Sequence, residues 1–150
     1  MGEGTVAQNL ISAYSSAFPE ASFLVWNRTH AKAIELVSLE SKSHKITAVE
    51  NLEAAILQAD IVSCATMSTE PLLRGEWLQA GQHIDLIGAY RPDMREVDDA
   101  ALNRARVFVD SRATTVRPVP YTHLTLPTIL RLETSYDVVA LAQKHVTVTR

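Results

Sequence analysis

The sequence predicts an α/β domain built on a doubly wound, mostly parallel sheet. Two observations carry that expectation. Short apolar runs rich in β-branched residues, such as Asp60-Ile61-Val62-Ser63-Cys64-Ala65, alternate with segments of helical periodicity, the pattern of a sheet covered on both faces. The chain also begins with Gly2-Glu3-Gly4-Thr5-Val6-Ala7, a G-x-G-x-x-A spacing that turns straight into a helix.

Each element follows from its residues. Val6, Leu10, Ile11, Tyr14 and Ala17 recur at helical spacing until Pro19 stops the pattern. Ser22 to Trp26 reads as a short buried strand, and helical spacing resumes from Ala31 to Val37. Lys45 to Val49 fits a short strand and Asn51 to Gln58 a short helix. Asp60 to Ala65 is a second buried strand, and His83 to Ile87 follows Gly81-Gln82 as a third. Asp98 to Arg104 has acids in its first turn, which suits the helix dipole. Arg106 to Asp110 is expected to be the last strand. Arg74 to Leu78 is expected to pack the sheet edge, with Trp77 in the core.

Composition excludes several classes of function. With 150 residues, 47% hydrophobic and 21% charged, the chain has the balance of one globular domain. A net charge of −3, with acids and bases interleaved, offers no basic face for nucleic acid or membrane. No apolar run approaches the roughly 18 residues of a membrane span, and the start lacks the pattern of a signal peptide. The single cysteine, Cys64, reads as a small core residue and fits a reducing cytoplasm. The five histidines never fall at metal-ligand spacing with Cys or Glu, so no metal site is expected.

The glycine turn raises the first functional question. In a dinucleotide-binding turn the first glycine permits the tight bend and the second lets a pyrophosphate approach the backbone. The small third position allows close packing, and the helix N-terminus favours the anion. Glycines at a chain start are equally a flexible leader, so context decides. A ribose-reading residue should end the next strand about 20 residues on. That place holds Asn27-Arg28-Thr29, with no acid for a ribose diol. A guanidinium fork flanked by neutral hydrogen-bonding groups suits a 2′-phosphate, favouring NADP(H) over NAD(H). The plainer alternative is that Thr29 caps a helix and Arg28 is solvated. Thr66 to Thr69 follows a strand, where ligands bind in such sheets, yet a Ser/Thr-rich turn is also an ordinary loop.

Longer motifs narrow the reading. WNRT, ADIVSCATMSTEPLLRGEWL, GQHIDLIGAYRPDMREVDD and RARVFVDSRA, in that order, closely resemble the ornithine cyclodeaminase/mu-crystallin family over residues 2–115. The resemblance implies a Rossmann domain for a nicotinamide cofactor within a homodimeric protein of about twice this length, whose other domain supplies most of the substrate pocket. Carried across by motif, Gly2, Gly4, Thr5 and Val6 would hold the pyrophosphate. Asn27, Arg28, Thr29 and Lys32 would read the adenosine phosphate. Thr66, Met67 and Ser68 would follow the ribose, and Ile87 and Gly88 would border the nicotinamide. No catalytic residue is assigned.

The family's deaminating members carry an aspartate where this chain has Tyr90. A phenol with an ordinary pKa of about 10 cannot replace that carboxylate base near neutral pH. The resemblance therefore implies an NADPH-dependent reductase of cyclic imino acids, of the Δ1-pyrroline-2-carboxylate or ketimine type. The alternatives are an ornithine cyclodeaminase (an ammonia lyase) and a non-catalytic NADPH-dependent binder of small molecules. Tyr90 either lines the substrate pocket or fills the cleft floor. Asp93, Arg95 and Glu96 are expected to form a salt-linked start to the last helix. His83 and Asp85 alternate along a strand without a visible relay partner and receive no catalytic role.

From about Val116 the text changes. Pro118, Pro120 and Pro127 argue against helix, and YTHLTLPT resembles translated sequencing-adapter read-through. Residues 1–115 are thus expected to form the nucleotide-binding domain and 116–150 an atypical tail, either adapter read-through or a divergent native ending, from which no function is read. The fold also needs a strand ahead of Gly2, in mid-sheet, which this chain lacks. It is expected to be N-terminally truncated, marginally folded by itself and inactive.

Overall fold

A computed structural model describes residues 5–89, 91 and 93–109, together with the backbone of 145–149. Its elements run α1 (Thr5–Ala17), β1 (Ser22–Trp26), α2 (His30–Glu40), β2 (Lys45–Ala48), α3 (Leu52–Gln58) and β3 (Ile61–Cys64). A 3-10 turn (Gly75–Trp77), β4 (His83–Leu86), α4 (Asp99–Arg104) and β5 (His145–Thr149) complete them. The five strands are all parallel, in the order β2-β1-β5-β3-β4. The α/β, parallel-sheet expectation is what the chain adopts.

Two apolar clusters sandwich the sheet. Ala7 and Ile11 of α1 and Ala33 and Leu36 of α2 pack on Phe23 and Val25 of β1. On the other face Ile56 of α3, Leu73, Val97 and Ala101 of α4 pack on Val62 and Cys64 of β3. Successive β3 side chains point to opposite faces, so all four of its residues are buried. Cys64 is 2% exposed, a core residue as expected. Trp77 is partly buried against the second cluster.

Local signals set the helix ends. Asn51 caps α3 by accepting from the Ala54 N–H at 3.0 Å. Asp98 caps α4, its Oδ1 accepting from the Ala101 N–H at 2.8 Å and from the Gly75 N–H at 2.9 Å. Gly81, with φ of 92°, makes the reversal into β4 that other residues adopt only under strain.

One expectation needs correction. Residues 106–109 form no strand; they leave α4 as irregular chain, and Asp110 lies outside the described residues. Alternation and β-branching alone do not make a strand; that takes a backbone ladder with a neighbour, and residues 106–109 form none. The sheet centre is filled by a distant segment. The position between β1 and β3, where a strand ahead of the glycine turn was expected, is held by β5 from the far end of the chain. Its register runs Ser22 to His145 through Trp26 to Thr149 on one side, and Ile61 to Val146 through Cys64 to Thr149 on the other.

Candidate functional site

The chain winds from β1 outward to β2, then crosses to β3 and β4 on the other side of β5. That reversal is the topological switch point at which open α/β sheets bind ligands, beyond the carboxyl ends of their strands. Residues 27–29 follow β1, 66–68 follow β3, and 87–88 follow β4, so all face this edge. The C-terminus of α1 feeds the start of β1, which sets its N-terminus, with Thr5 and Val6, at the same edge. Val6 is 52% exposed there. Gly2, Gly4 and Tyr90 lie outside the described residues.

The loop after β1 is tied to the loop after β3. Arg28 Nη2 donates to Ser68 Oγ at 3.0 Å, and the Ser68 hydroxyl donates to the Glu70 carbonyl at 2.6 Å. Asn27 Oδ1 accepts from the Thr29 N–H at 2.8 Å, closing a turn ahead of α2. Thr29 occupies the N-cap position of α2, but its hydroxyl makes no capping bond. Lys32 is exposed in the first turn of α2. Beside these residues lies a shallow cleft of about 590 Å³, lined in part by Trp26, Asn51, Leu52, Pro71, Leu72 and Trp77. Arg74 lies over the Trp77 ring, 5.5 Å from its centroid. Sequence reading missed this cleft; two tryptophans, one ending the first strand and one ahead of the fourth, were its only trace.

Thr66 and Ser68 turn inward and Met67 outward, at 4%, 6% and 59% exposure. The donors of Thr66 go to one acceptor: its N–H and its hydroxyl meet Glu96 Oε1 at 2.7 and 2.8 Å. The other carboxylate oxygen, Oε2, accepts from the Gly88 N–H at 3.0 Å. Gly88 packs so closely on the Thr66 backbone that any side chain there would collide with it and with Glu96. Ile87 is half exposed, its N–H donating to the Cys64 carbonyl at 2.9 Å.

Glu96 therefore departs from the expected salt link. It is 3% exposed and its carboxylate is held by N–H and O–H donors. Burial lifts its pKa above the usual carboxylate range, while the bonds from Thr66 and Gly88 pull the other way. The helix start is salt-linked only through its neighbours: Arg95 pairs with Asp99, and Arg91 with Asp93 at 3.1 Å.

A second cluster lies on the α1 face. The Tyr14 hydroxyl donates to Asp85 Oδ2, and His83 Nε2 lies 3.0 Å from Asp85 Oδ1. His83 and Asp85 thus have a partner that strand alternation did not reveal. Burial first, and Asp85 second, push the Tyr14 phenol well above its ordinary pKa. This places an un-ionised hydroxyl against the sheet, away from the switch-point edge. Among the described residues no group of His, Cys, Asp and Glu gathers to hold a metal ion. No helix among them is long and apolar enough to cross a membrane.

Strand order, crossover pattern and switch-point edge together define a Rossmann-type α/β domain. The ornithine cyclodeaminase/mu-crystallin family model matches residues 1–122, and the chain belongs to that family. It is 47% identical over 118 residues to a Δ1-pyrroline-2-carboxylate reductase of Paracoccus denitrificans, covering 77% of this chain and 37% of that protein. It is 36% identical over 112 residues to the ketimine reductase mu-crystallin of Rattus norvegicus, covering 75% and 35%. The chain thus spans little more than a third of the length of these relatives. Among solved structures it resembles the Δ1-pyrroline-2-carboxylate reductase of Thermococcus litoralis in complex with NADH and L-proline, at a TM-score of 0.58 and 14% identity, over 97% of this chain and 60% of that one.

Proposed function

We propose that residues 1–115 form the cofactor-binding domain of an NADPH-dependent reductase of cyclic imino acids, acting on Δ1-pyrroline-2-carboxylate or a related ketimine. The observation that carries the reading is Arg28. It stands just beyond β1, where a ribose-binding acid would serve NAD(H), and its guanidinium is held at the switch-point edge by Ser68. The residues fit such a cofactor. Arg28 and the Asn27–Thr29 turn take the adenosine 2′-phosphate, with Lys32 adding charge, and the cleft between Trp26 and Trp77 accepts the flat purine. Thr5 and Val6, with Gly2 and Gly4, take the pyrophosphate at the start of α1. The loops at 66–68 and 87–88 border the ribose and nicotinamide.

When bound, NADPH supplies the hydride that reduces a C=N bond. What remains for the protein is to hold the substrate carboxylate, to deliver one proton to the imine nitrogen and to exclude water. Tyr90 borders this region in sequence and is a candidate pocket residue. Its phenol disfavours the lyase alternative, which needs a carboxylate base there. The residues that clamp the substrate carboxylate and the contacts of a homodimer belong to the rest of the protein in this reading, and the setting is the cytoplasm.

A chimaera tests it. The aligned segment of this chain replaces its counterpart in the Paracoccus denitrificans relative, and NADPH oxidation is followed with Δ1-pyrroline-2-carboxylate. Turnover with NADPH supports the reading. Ammonia release from ornithine would instead indicate a lyase, and nucleotide binding without turnover a binding protein.

A further inference from the structure

We propose that Glu96 is a positioning residue that sets the nicotinamide half of the cofactor site by clamping the loops after β3 and β4 at a fixed separation. The inference deepens the nucleotide reading and rests on it. Glu96 reaches the first segment beyond β3 through both donors of Thr66, and the first segment beyond β4 through the Gly88 N–H. Its own carbonyl accepts from the Leu72 and Leu73 N–H groups at 3.0 Å each, and the neighbouring Arg95 N–H donates to the Ser68 carbonyl at 2.7 Å. One residue thus joins three stretches of chain at the carboxyl edge of adjacent strands.

Packing alone does not explain an ion here. An apolar side chain of similar volume would avoid the desolvation penalty of a buried carboxylate. It would also leave the Thr66 and Gly88 N–H groups without acceptors, and those two loops free to part. A carboxylate has two oxygens that both accept, the number needed to bridge two strand ends. Adenosine is read at the end of β1, so a dinucleotide lying across the switch point places its nicotinamide over β3 and β4, where Glu96 acts. Gly88 packs against both the Thr66 backbone and Glu96 Oε1, so the two loops and the carboxylate lie in one close contact.

Glu96→Gln keeps the size but turns an amide N–H₂ toward one of the donors. Titration of the 150-residue chain and of Glu96→Gln with NADPH and with 2′,5′-ADP, which lacks the nicotinamide half, separates the possibilities. The clamp predicts that Glu96→Gln weakens NADPH at least tenfold and 2′,5′-ADP less than threefold, with faster amide exchange at Thr66 and Gly88. Should Glu96→Gln not fold, Thr66→Val removes only the hydroxyl bond and should give a smaller loss with the same selectivity. A parallel loss for both ligands, or no loss for either, overturns the positioning role. Failure of the unsubstituted chain to bind 2′,5′-ADP would instead overturn the nucleotide reading, and the clamp's role in cofactor binding with it.

Discussion

Arg28 and Ser68, 40 residues apart, meet through a 3.0 Å hydrogen bond that spans the sheet's switch point. The bond orients the guanidinium over the edge where β1, β5 and β3 end side by side. A charged fork held by a neutral hydroxyl keeps its charge available for an anion.

If Arg28 reads a 2′-phosphate, Arg28→Ala should weaken NADPH by about 10–100-fold, the equivalent of about 1.5–3 kcal/mol, and NADH by far less. Ser68→Ala removes only the orienting bond and should lower the preference for NADPH by about 2–10-fold. Equilibrium titrations of the two variants check both values.

The Glu96 carboxyl titrates above the usual range in the folded chain. A raised folded pKa means that the group's contribution to stability is full below the unfolded value and is lost as pH rises through the folded value. Relative to Glu96→Gln, the unsubstituted chain should therefore lose stability as pH climbs from the ordinary glutamate range through that raised value. Urea unfolding across pH 4–8 measures the difference; equal slopes would contradict it.

Gly88→Ala places a methyl group against the Thr66 backbone and Glu96. Overpacking of this kind costs about 1–3 kcal/mol, visible as a lowered urea midpoint. Asp98→Ala removes both the cap of α4 and the acceptor for the Gly75 N–H, and should cost about 0.5–2 kcal/mol or somewhat more.

Much of this was legible where a local rule decides. The β3 run Ile61–Cys64, the helical periodicity of α1 and the stop at Pro19 each act within a few residues. The role of Glu96 was hidden because its partners are N–H and O–H groups 30 and 8 residues away, which no spacing marks. The cleft was hidden likewise, since Trp26 and Trp77 come to line one cleft only after β1 and the 3-10 turn are placed. Arg106 to Val109 has a strand's alternation but no ladder, while His145 to Thr149, in a segment read as a tail, pairs on both sides in the sheet centre. Pairing over such sequence distances is settled by the whole sheet.

The central place of β5 is itself testable. Thr147 pairs with Leu24 on one side and Val62 on the other. A proline there removes a ladder donor where none is spare, so Thr147→Pro should abolish the cooperative melting transition seen by circular dichroism. An unchanged melt would show that the sheet does not depend on this strand.

The most direct test of the central claim is a titration of the chain with NADPH and then NADH, following quenching of Trp26 and Trp77, which both line the cleft. The account predicts saturable quenching, with NADPH bound about 10–100-fold more tightly. Equal affinities would contradict the role given to Arg28, and no binding by a folded chain would contradict the cofactor site itself.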